Sequence, residues 1–316
     1  MLKVLEVLKG GRRPVEHLDY LEHLEHLGLL CHLLAMTDRR SFISTMGAAF
    51  LGAACSRVGG GSSESARRLD RIGVQLYTVR RDLARDFEGT LTRIAEIGYR
   101  ELEFAGYHGK SPSDVRAIIT RLGLAAPSSH VPIDAFRRNI DGAIAEAKEV
   151  GHQYLVVPWL DPNERRSIDD YRRIADELNR FGEKVRAAGM QLGYHNHDFE
   201  LAPIAGSVPL DVLIERTDPN LLVLELDLYW VTKGGADPLT YFSRHPGRIH
   251  MVHVKDSAGG PEHRQVDVGQ GTIDFGKIFS RREQGGIRHA FVEMDEPTNA
   301  LETLRVSYQH LAQLRW

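Results

Sequence analysis

The sequence of 316 residues has few cysteines, no large excess of charge of one sign and no apolar run long enough to span a membrane. Its two cysteines, Cys31 and Cys55, both precede residue 60, which excludes a disulfide framework and a cysteine metal site from the rest of the chain. The 40 Lys and Arg residues against 43 Asp and Glu residues give a formal charge of −3, so a nucleic-acid partner is not expected. Any metal in the main part of the chain must therefore be held by His, Asp and Glu.

The first 70 residues differ from the rest of the chain and predict export. Arg39 and Arg40 precede Ser41, an uncharged stretch fills residues 44–54, and Cys55 follows. A charged, an apolar and a small-residue segment in this order are typical of a signal peptide, and the paired arginines are similar to a twin-arginine signal. The alternative, a short buried helix, fits less well because a Gly/Ser-rich stretch follows directly.

Segment boundaries follow from the position of this signal. Residues 1–35 carry Leu-Glu-His repeats and are interpreted as a mis-called extension, because a signal lies near the N-terminus and Met36 directly precedes the charged segment. Metal binding by this His-rich tract is the alternative. Residues 36–55 then form the signal, 56–70 a Gly/Ser-rich linker, and 71–316 the catalytic domain.

Cys55 is also a candidate site of lipid attachment. The stretch from Leu51 to Cys55 is similar to a bacterial lipoprotein cleavage box, although Gly52 stands where that box usually has Leu. Nine basic and eight acidic residues precede residue 71, which leaves 31 and 35 in the domain and a net charge of −4. We therefore expect a mildly acidic protein that is exported and is either periplasmic or tethered to the envelope as a lipoprotein.

From Arg71 onward, eight short apolar runs alternate with amphipathic stretches. The runs are 72–77, 101–104, 125–131, 154–158, 191–195, 222–227, 249–254 and 290–293. Short strands separated by helices predict a parallel sheet, and two helices are bounded by clear signals, at Ser111 and Gly123 and at Ser167 and Gly189. Eight such units over about 245 residues predict a single (β/α)8 TIM barrel, because an open doubly wound sheet usually stops at five or six strands.

Polar side chains stand at the predicted C-terminal ends of strands five to eight, where the active site of such a barrel lies. Within each pair two residues apart, both side chains lie on one face of an extended strand. The pairs are His195 with His197, Glu225 with Asp227, and His253 with Lys255, and Glu293 follows on strand eight. A single pair of this kind is often a surface pair or a hydrogen-bonded core pair. Four consecutive strands that end in this way indicate a functional site, because barrel interiors are otherwise filled by branched apolar residues. Buried charged groups persist in proteins when they are paired or bound to a metal.

One set of these residues predicts a metal site. Two imidazole nitrogens and two carboxylate oxygens suit one divalent ion, Zn²⁺, Mn²⁺ or Co²⁺, with Mg²⁺ as a further candidate. The predicted ligands are His195, Asp227, His253 and Glu293. Such an ion can hold adjacent oxygens of a polyol or keto-sugar and acidify the proton beside a carbonyl, so a small carbohydrate is the expected substrate.

Lys255 and His197 lie one step further outward and are the candidate proton-transfer residues. For Lys255 this role requires that a nearby cation lower the pKa of its ammonium group. The alternative is that Lys255 forms an ion pair with Asp256 or Glu293 and only neutralises the site.

Further candidates for substrate contact lie at other strand ends. They are Glu103, His130, Tyr77, Trp159 and Trp230. Aromatic faces suit the C–H surfaces of sugars, and carboxylate or imidazole groups suit their hydroxyls. The alternatives are an ion pair or a hydrogen-bonded core position for the first two and barrel packing for the aromatic residues.

Several of these motifs, in the same order, are similar to those of the sugar phosphate isomerase/epimerase family, whose fold is the xylose isomerase-like barrel. They are 72–77, 194–200, 226–230, 253–256 and 268–275, and the resemblance covers about residues 71–316. It implies one divalent metal held by Glu on strand five, Asp on strand six, His on strand seven and Glu on strand eight. These positions fall on His195, Asp227, His253 and Glu293, so the first departs from the family pattern. The resemblance also implies that Glu293 is a catalytic base.

The departure at His195 puts epimerisation by two glutamates in doubt, because a coordinated imidazole is a poor base. Exported family members with a His-Asn-His strand resemble enzymes acting on oxidised glycosides, in which a 3-keto sugar loses its aglycone by proton abstraction and β-elimination. The preferred interpretation is a metal-dependent sugar isomerase or epimerase, with a 3-keto-glycoside lyase as the alternative. An endonuclease IV-like nuclease needs about three metals and a basic face, which the charge of the domain disfavours, and a non-catalytic sugar-binding barrel needs no metal.

We predict that the mature protein starts after an export signal that begins at Met36. Residues 1–54 should then be missing from the native protein, which N-terminal sequencing or mass spectrometry can measure. Peptides from residues 1–35 in mature material would contradict this prediction.

Overall fold

A computed structural model of the protein describes residues 67–316, and in this range eight parallel strands close into a barrel. The predicted fold class, a single (β/α)8 barrel, is confirmed. Two further strands, Asp256–Ser257 (β8) and Gln265–Val266 (β9), form a small antiparallel hairpin, and His289–Val292 (β10) is the eighth barrel strand. The strands are β1 Gly73–Gln75, β2 Glu101–Phe104, β3 Ala125–His130, β4 Tyr154–Val157, β5 Gln191–His195, β6 Leu222–Asp227, β7 Ile249–Val254, β8 Asp256–Ser257, β9 Gln265–Val266 and β10 His289–Val292.

Helices follow the barrel strands and pack on their outer surface, and short 3₁₀ turns cover Leu76–Val79 and Pro162–Glu164. The helices are α1 Arg80–Arg85, α2 Phe87–Ile97, α3 Pro112–Arg121, α4 Ile133–Val150, α5 Ile168–Ala187, α6 Pro209–Arg216, α7 Leu228–Lys233, α8 Pro238–Arg244, α9 Phe275–Ser280, α10 Arg282–Gly285 and α11 Ala300–Gln313. In residues 67–316, none of them combines the length and the apolar character that a membrane span needs.

Residues 1–66 lie outside the described range. They include the predicted extension at 1–35, the predicted signal at 36–55 with Cys55, and most of the predicted linker at 56–70.

Local side-chain bonds explain where several elements begin and end. Ser111 accepts a hydrogen bond from the backbone N–H of Asp114 and caps α3, whose first residue is a proline, as its sequence predicts. Ser167 and Asp170 form a reciprocal capping box that begins α5. The first strand is shorter than predicted, because the Gln75 side chain accepts a bond from the Tyr77 N–H and turns the chain into a 3₁₀ helix.

The barrel interior changes from apolar to polar along its axis. One apolar cluster of buried side chains fills its middle, formed by Tyr154, Val156, Val223, Met251 and Phe291. Because side chains on one face of a strand recur every second residue, the next inward positions on β6 and β7 are Glu225 and His253. Polar groups therefore begin directly above a closed apolar layer, toward the C-terminal ends of the strands.

Candidate active site

Asp227 is the last residue of β6 and the N-cap of α7, and one of its carboxylate oxygens accepts no hydrogen bond. Its Oδ1 accepts hydrogen bonds of 2.9 Å from the N–H groups of Tyr229 and Trp230. Its Oδ2 is buried without a hydrogen-bond partner and lies 3.1 Å from the Lys255 Nζ. Burial raises the pKa of Asp227 to about 6, against the opposing effect of the Lys255 and His253 charges. The Lys255 ammonium is thus the cation beside this oxygen, which accepts no aligned hydrogen bond.

His253, on β7, lies fully buried between two carboxylates on opposite sides of its ring. Its Nδ1 is 2.7 Å from the Glu293 Oε2 and 3.9 Å from the Asp227 Oδ2. Its Nε2 is 2.6 Å from the Glu103 Oε2. Burial opposes protonation, but the carboxylates of Glu225, Glu293 and Glu103 raise the pKa of His253 well above its usual value.

His195, at the end of β5, also has a carboxylate on each side. Its Nε2 lies 3.8 Å from the Asp227 Oδ2, and its Nδ1 lies 3.3 Å from the Glu225 Oε2. Burial lowers the pKa of His195 well below its usual value, and the nearby His253 adds to this. The side chain is therefore neutral, which is the form that binds metals.

The candidate metal ligands form two groups that share His253. The upper group, Asp227, His253 and Glu293, faces the C-terminal strand ends, and its ligand atoms lie within 4.8 Å of one another. The lower group, His130, His195, Glu225 and His253, meets the same criterion one layer deeper in the barrel. Three of the four predicted ligands, Asp227, His253 and Glu293, thus share one group, whereas His195 belongs to the lower group. Its Nε2 lies 3.8 Å from the Asp227 Oδ2 in the upper group.

Glu225 contacts the three histidines of the lower group. Its spacing of two residues from Asp227 places both side chains on one face of β6 and is the sequence signal for this position. Its Oε2 lies 2.7 Å from the His130 Nε2 and 3.2 Å from the His253 Nε2. Both Glu103 and Glu225 are fully buried. Glu103 and His130, predicted to contact substrate, thus occupy the hydrogen-bonded interior position that was the alternative interpretation.

Lys255 is surrounded by carboxylates. Its Nζ lies 2.8 Å from the Glu293 Oε2, 2.8 Å from the Asp295 Oδ1 and 3.1 Å from the Asp227 Oδ2. Burial opposes protonation, but these three carboxylates raise the pKa of Lys255 well above its usual value. The side chain is an ammonium here, opposite in direction to the lowered pKa that a role as base requires.

The alternative ion pair of Lys255 with Glu293 is present, and the one with Asp256 is not. Asp256 points away, because its Oδ2 accepts the backbone N–H groups of Gly269 and Gly271. The same electrostatic contacts act on Glu293, where Lys255 and His253 overcome burial and hold the pKa well below its usual range.

A buried glutamate fixes the loop that carries His197. The Glu200 Oε2 accepts a bond of 2.8 Å from the His197 N–H, and its Oε1 accepts one of 2.5 Å from the Tyr194 hydroxyl. Burial raises the pKa of Glu200 to about 8. Burial also lowers the pKa of His197 to about 3, and its Nδ1 has no hydrogen-bond partner. His197 is therefore an unprotonated imidazole beside Trp230, with 5.4 Å between the ring centroids.

Aromatic side chains line the barrel mouth. Tyr77 and Trp159 are 41% and 44% exposed, although both are large and apolar. Trp230 is packed more deeply, and its ring lies 5.5 Å from the Lys255 Nζ. The predicted aromatic residues thus stand at the mouth and beside the polar groups.

A family model described as xylose isomerase-like TIM barrel matches residues 91–313. The chain therefore belongs to this family.

Curated relatives include two inosose dehydratases. The chain is 31% identical over 134 residues to inosose dehydratase of Lacticaseibacillus casei, which covers 37% of the chain and 44% of that enzyme. It is 26% identical over 229 residues to inosose dehydratase of Geobacillus kaustophilus, which covers 60% of the chain and 74% of that enzyme. The alignment with the first relative thus spans less than half of its length.

Solved structures with the same fold include a sugar phosphate isomerase/epimerase from Parabacteroides distasonis. It has a TM-score of 0.68 at 26% identity and covers 80% of this chain and 96% of that protein. The IOLI protein with a bound zinc atom has a TM-score of 0.60 at 14% identity, with 76% of this chain and 95% of that protein covered, which shows a shared fold. The chain thus has the fold of these two proteins.

We predict that Asp227→Ala strongly lowers the affinity of the protein for a divalent metal, because it removes the unpartnered Oδ2. Glu225→Ala should lower it less. Isothermal titration with Zn²⁺ or Mn²⁺ measures both. Equal metal retention by the wild-type protein and the Asp227→Ala variant would show that the ligand set is wrong.

Proposed function

We propose that the protein is a metal-dependent enzyme that removes the proton beside the carbonyl of a keto-sugar and eliminates the substituent on the next carbon. The observation that carries the proposal is the buried, unpartnered Oδ2 of Asp227, which faces two imidazole nitrogens and an ammonium group at the barrel mouth. The residues that would hold the ion are His195, Asp227, His253 and Glu293. A bound divalent ion would polarise the carbonyl oxygen and so acidify the adjacent C–H group.

The protein residues around the metal ligands are suited to opposite proton transfers. His197 is unprotonated, so its imidazole can take the proton from carbon. Lys255 is protonated, so it can give a proton to the oxygen that leaves. The C–H electron pair forms a carbon–carbon double bond as the carbon–oxygen bond breaks, and the products are an unsaturated ketone and an alcohol or water.

Two observations favour elimination over epimerisation. Epimerisation requires a base on each side of the substrate carbon, and His195 occupies the strand-five position where the resembled epimerases have a glutamate. The curated relatives are dehydratases, which supports a reaction that expels a substituent. The aromatic residues at the mouth, Tyr77 and Trp159, would contact the sugar or the group that leaves.

A sugar isomerase or epimerase is the second candidate function. It is favoured by the similarity to the Parabacteroides distasonis sugar phosphate isomerase/epimerase. It shares the first step, removal of a proton beside a carbonyl, and differs in returning the proton to carbon. Export to the envelope and a lipid anchor at Cys55 remain proposals that rest on residues 36–55.

We expect the full chain, loaded with Mn²⁺, Co²⁺ or Zn²⁺, to convert a 3-keto-glycoside or an inosose into an unsaturated ketone. Ultraviolet absorbance measures the product, and mass spectrometry in D₂O measures exchange at the carbon beside the carbonyl. Deuterium in a rearranged or epimerised sugar, without elimination, would establish the second candidate instead. Absence of both exchange and product with keto-sugars and free sugars would refute the shared step.

Lys255→Met should lower turnover by about 10²–10⁴-fold, the usual effect of losing a proton-transfer group. Metal binding should persist, because the four ligands remain. Lys277→Met, the same change on the exposed face of α9, is the matched control and should keep full turnover. A loss of less than about tenfold in Lys255→Met would show that Lys255 is not the proton donor.

A further inference from the structure

We propose that Glu103 is a positioning residue that determines which ring nitrogen of His253 binds the metal. The proposal rests on the proposed function, because it assumes an ion in the upper group. It predicts an unusual result: the two histidines bind the ion through different nitrogens, His253 through Nδ1 and His195 through Nε2.

The geometry at His253 is the stronger of the two. The His253 ring lies between two carboxylates. Its Nε2 is 2.6 Å from the Glu103 Oε2, and its Nδ1 is 2.7 Å from the Glu293 Oε2 in the upper group. A neutral imidazole carries one proton, and its other nitrogen has the lone pair that a metal binds. If Nε2 donates to Glu103, then Nδ1 is the metal-binding nitrogen.

Glu103 is held as an acceptor by two further donors. The Gln75 Nε2 donates to its Oε2 at 2.8 Å, and the Ser128 hydroxyl donates to its Oε1 at 2.6 Å. The Gln75 amide cannot be reversed without loss, because its Oε1 accepts the N–H of Tyr77. All of these groups except the Tyr77 N–H are buried in the barrel interior. The site that receives the His253 Nε2 is therefore preformed.

Strand register produces a similar arrangement around His195. His195 on β5 is paired with Glu225 on β6, and Asp227, two residues further along β6, is paired with His253 on β7. Glu225 and Asp227 thus lie on one face, one layer apart. As a result, the His195 Nδ1 lies 3.3 Å from the Glu225 Oε2 without an aligned hydrogen bond, and its Nε2 lies 3.8 Å from the Asp227 Oδ2.

The lower group offers a competing position for the ion, and the two positions exclude each other. An ion there would bind the Nε2 of His253 and the Nδ1 of His195, the nitrogens that face Glu103 and Glu225. The upper position is favoured because the Asp227 Oδ2 accepts no hydrogen bond, although the Lys255 Nζ lies 3.1 Å away. The Glu225 Oε2, in contrast, already has a hydrogen bond of 2.7 Å with the His130 Nε2. The unpartnered oxygen of Glu225 is its other one, Oε1.

Nitrogen-15 NMR of the full chain, labelled at histidine and loaded with Zn²⁺, tests the proposal directly. Metal-bound and protonated ring nitrogens differ in chemical shift and in coupling to protons. We expect one histidine bound through Nδ1 with Nε2 protonated, and one bound through Nε2 with Nδ1 protonated. The His253→Gln variant should remove the first pattern and so assign it.

Glu103→Gln keeps the shape of the side chain and removes its charge, and it should weaken Zn²⁺ binding by about 10–100-fold. Glu101→Gln is the matched control, because Glu101 lies two residues earlier on β2 and is also buried against a histidine, the His289 Nδ1 at 2.8 Å. It should leave Zn²⁺ affinity unchanged. Circular dichroism of both variants monitors folding.

The outcomes separate this proposal from the proposed function. A wild-type protein that binds no divalent metal contradicts the proposed function itself. Zn²⁺ bound through the Nε2 of His253 would place the ion in the lower group and overturn the positioning role. Equal Zn²⁺ affinity of wild type and Glu103→Gln would also overturn it, while leaving a metal enzyme in place.

Discussion

The upper half of the barrel depends on the pairing of buried carboxylates with imidazoles and one ammonium group. Glu103, Glu225 and Asp227 are fully enclosed, and an unpaired ion in such surroundings costs many kcal/mol. Each of the three therefore lies within ion-pair distance of a histidine or of Lys255. Removal of one partner leaves another charge exposed to the low dielectric, so the whole group acts as a unit.

This group can exist because the layer beneath it is apolar and closed. Phe291 and Met251 fill the barrel below His253, and the strand period of two then places the polar residues on the next layer up. Water is excluded from below, which strengthens every electrostatic contact above. The polar groups are therefore confined to the end of the barrel where the aromatic residues stand.

The strand ends could be predicted from sequence to within two residues, because apolar runs and turn signals are local. The grouping of Asp227, His253 and Glu293 could also be predicted, since strand ends converge in a barrel. The division into two groups could not be predicted. It depends on the register between β6 and β7, which shifts between Leu224 and Glu225, and on the ring orientation of His253. Neither is encoded in local spacing, so the sequence does not reveal the contacts of Glu225 with His130 and His253.

The histidine at the end of β5 has a consequence for reactivity that extends beyond the loss of a base. The resembled epimerases hold their ion with three carboxylates and one imidazole, whereas the proposed set here has two of each. Replacing an anionic ligand by neutral His195 leaves more positive charge on the ion, and a more positive ion polarises a carbonyl more strongly. Lys255, placed against Asp227 and Glu293, withdraws still more negative charge from the ligands. A site that stabilises the developing oxyanion strongly and carries an ammonium beside it is better suited to expelling a leaving group than to returning a proton to carbon.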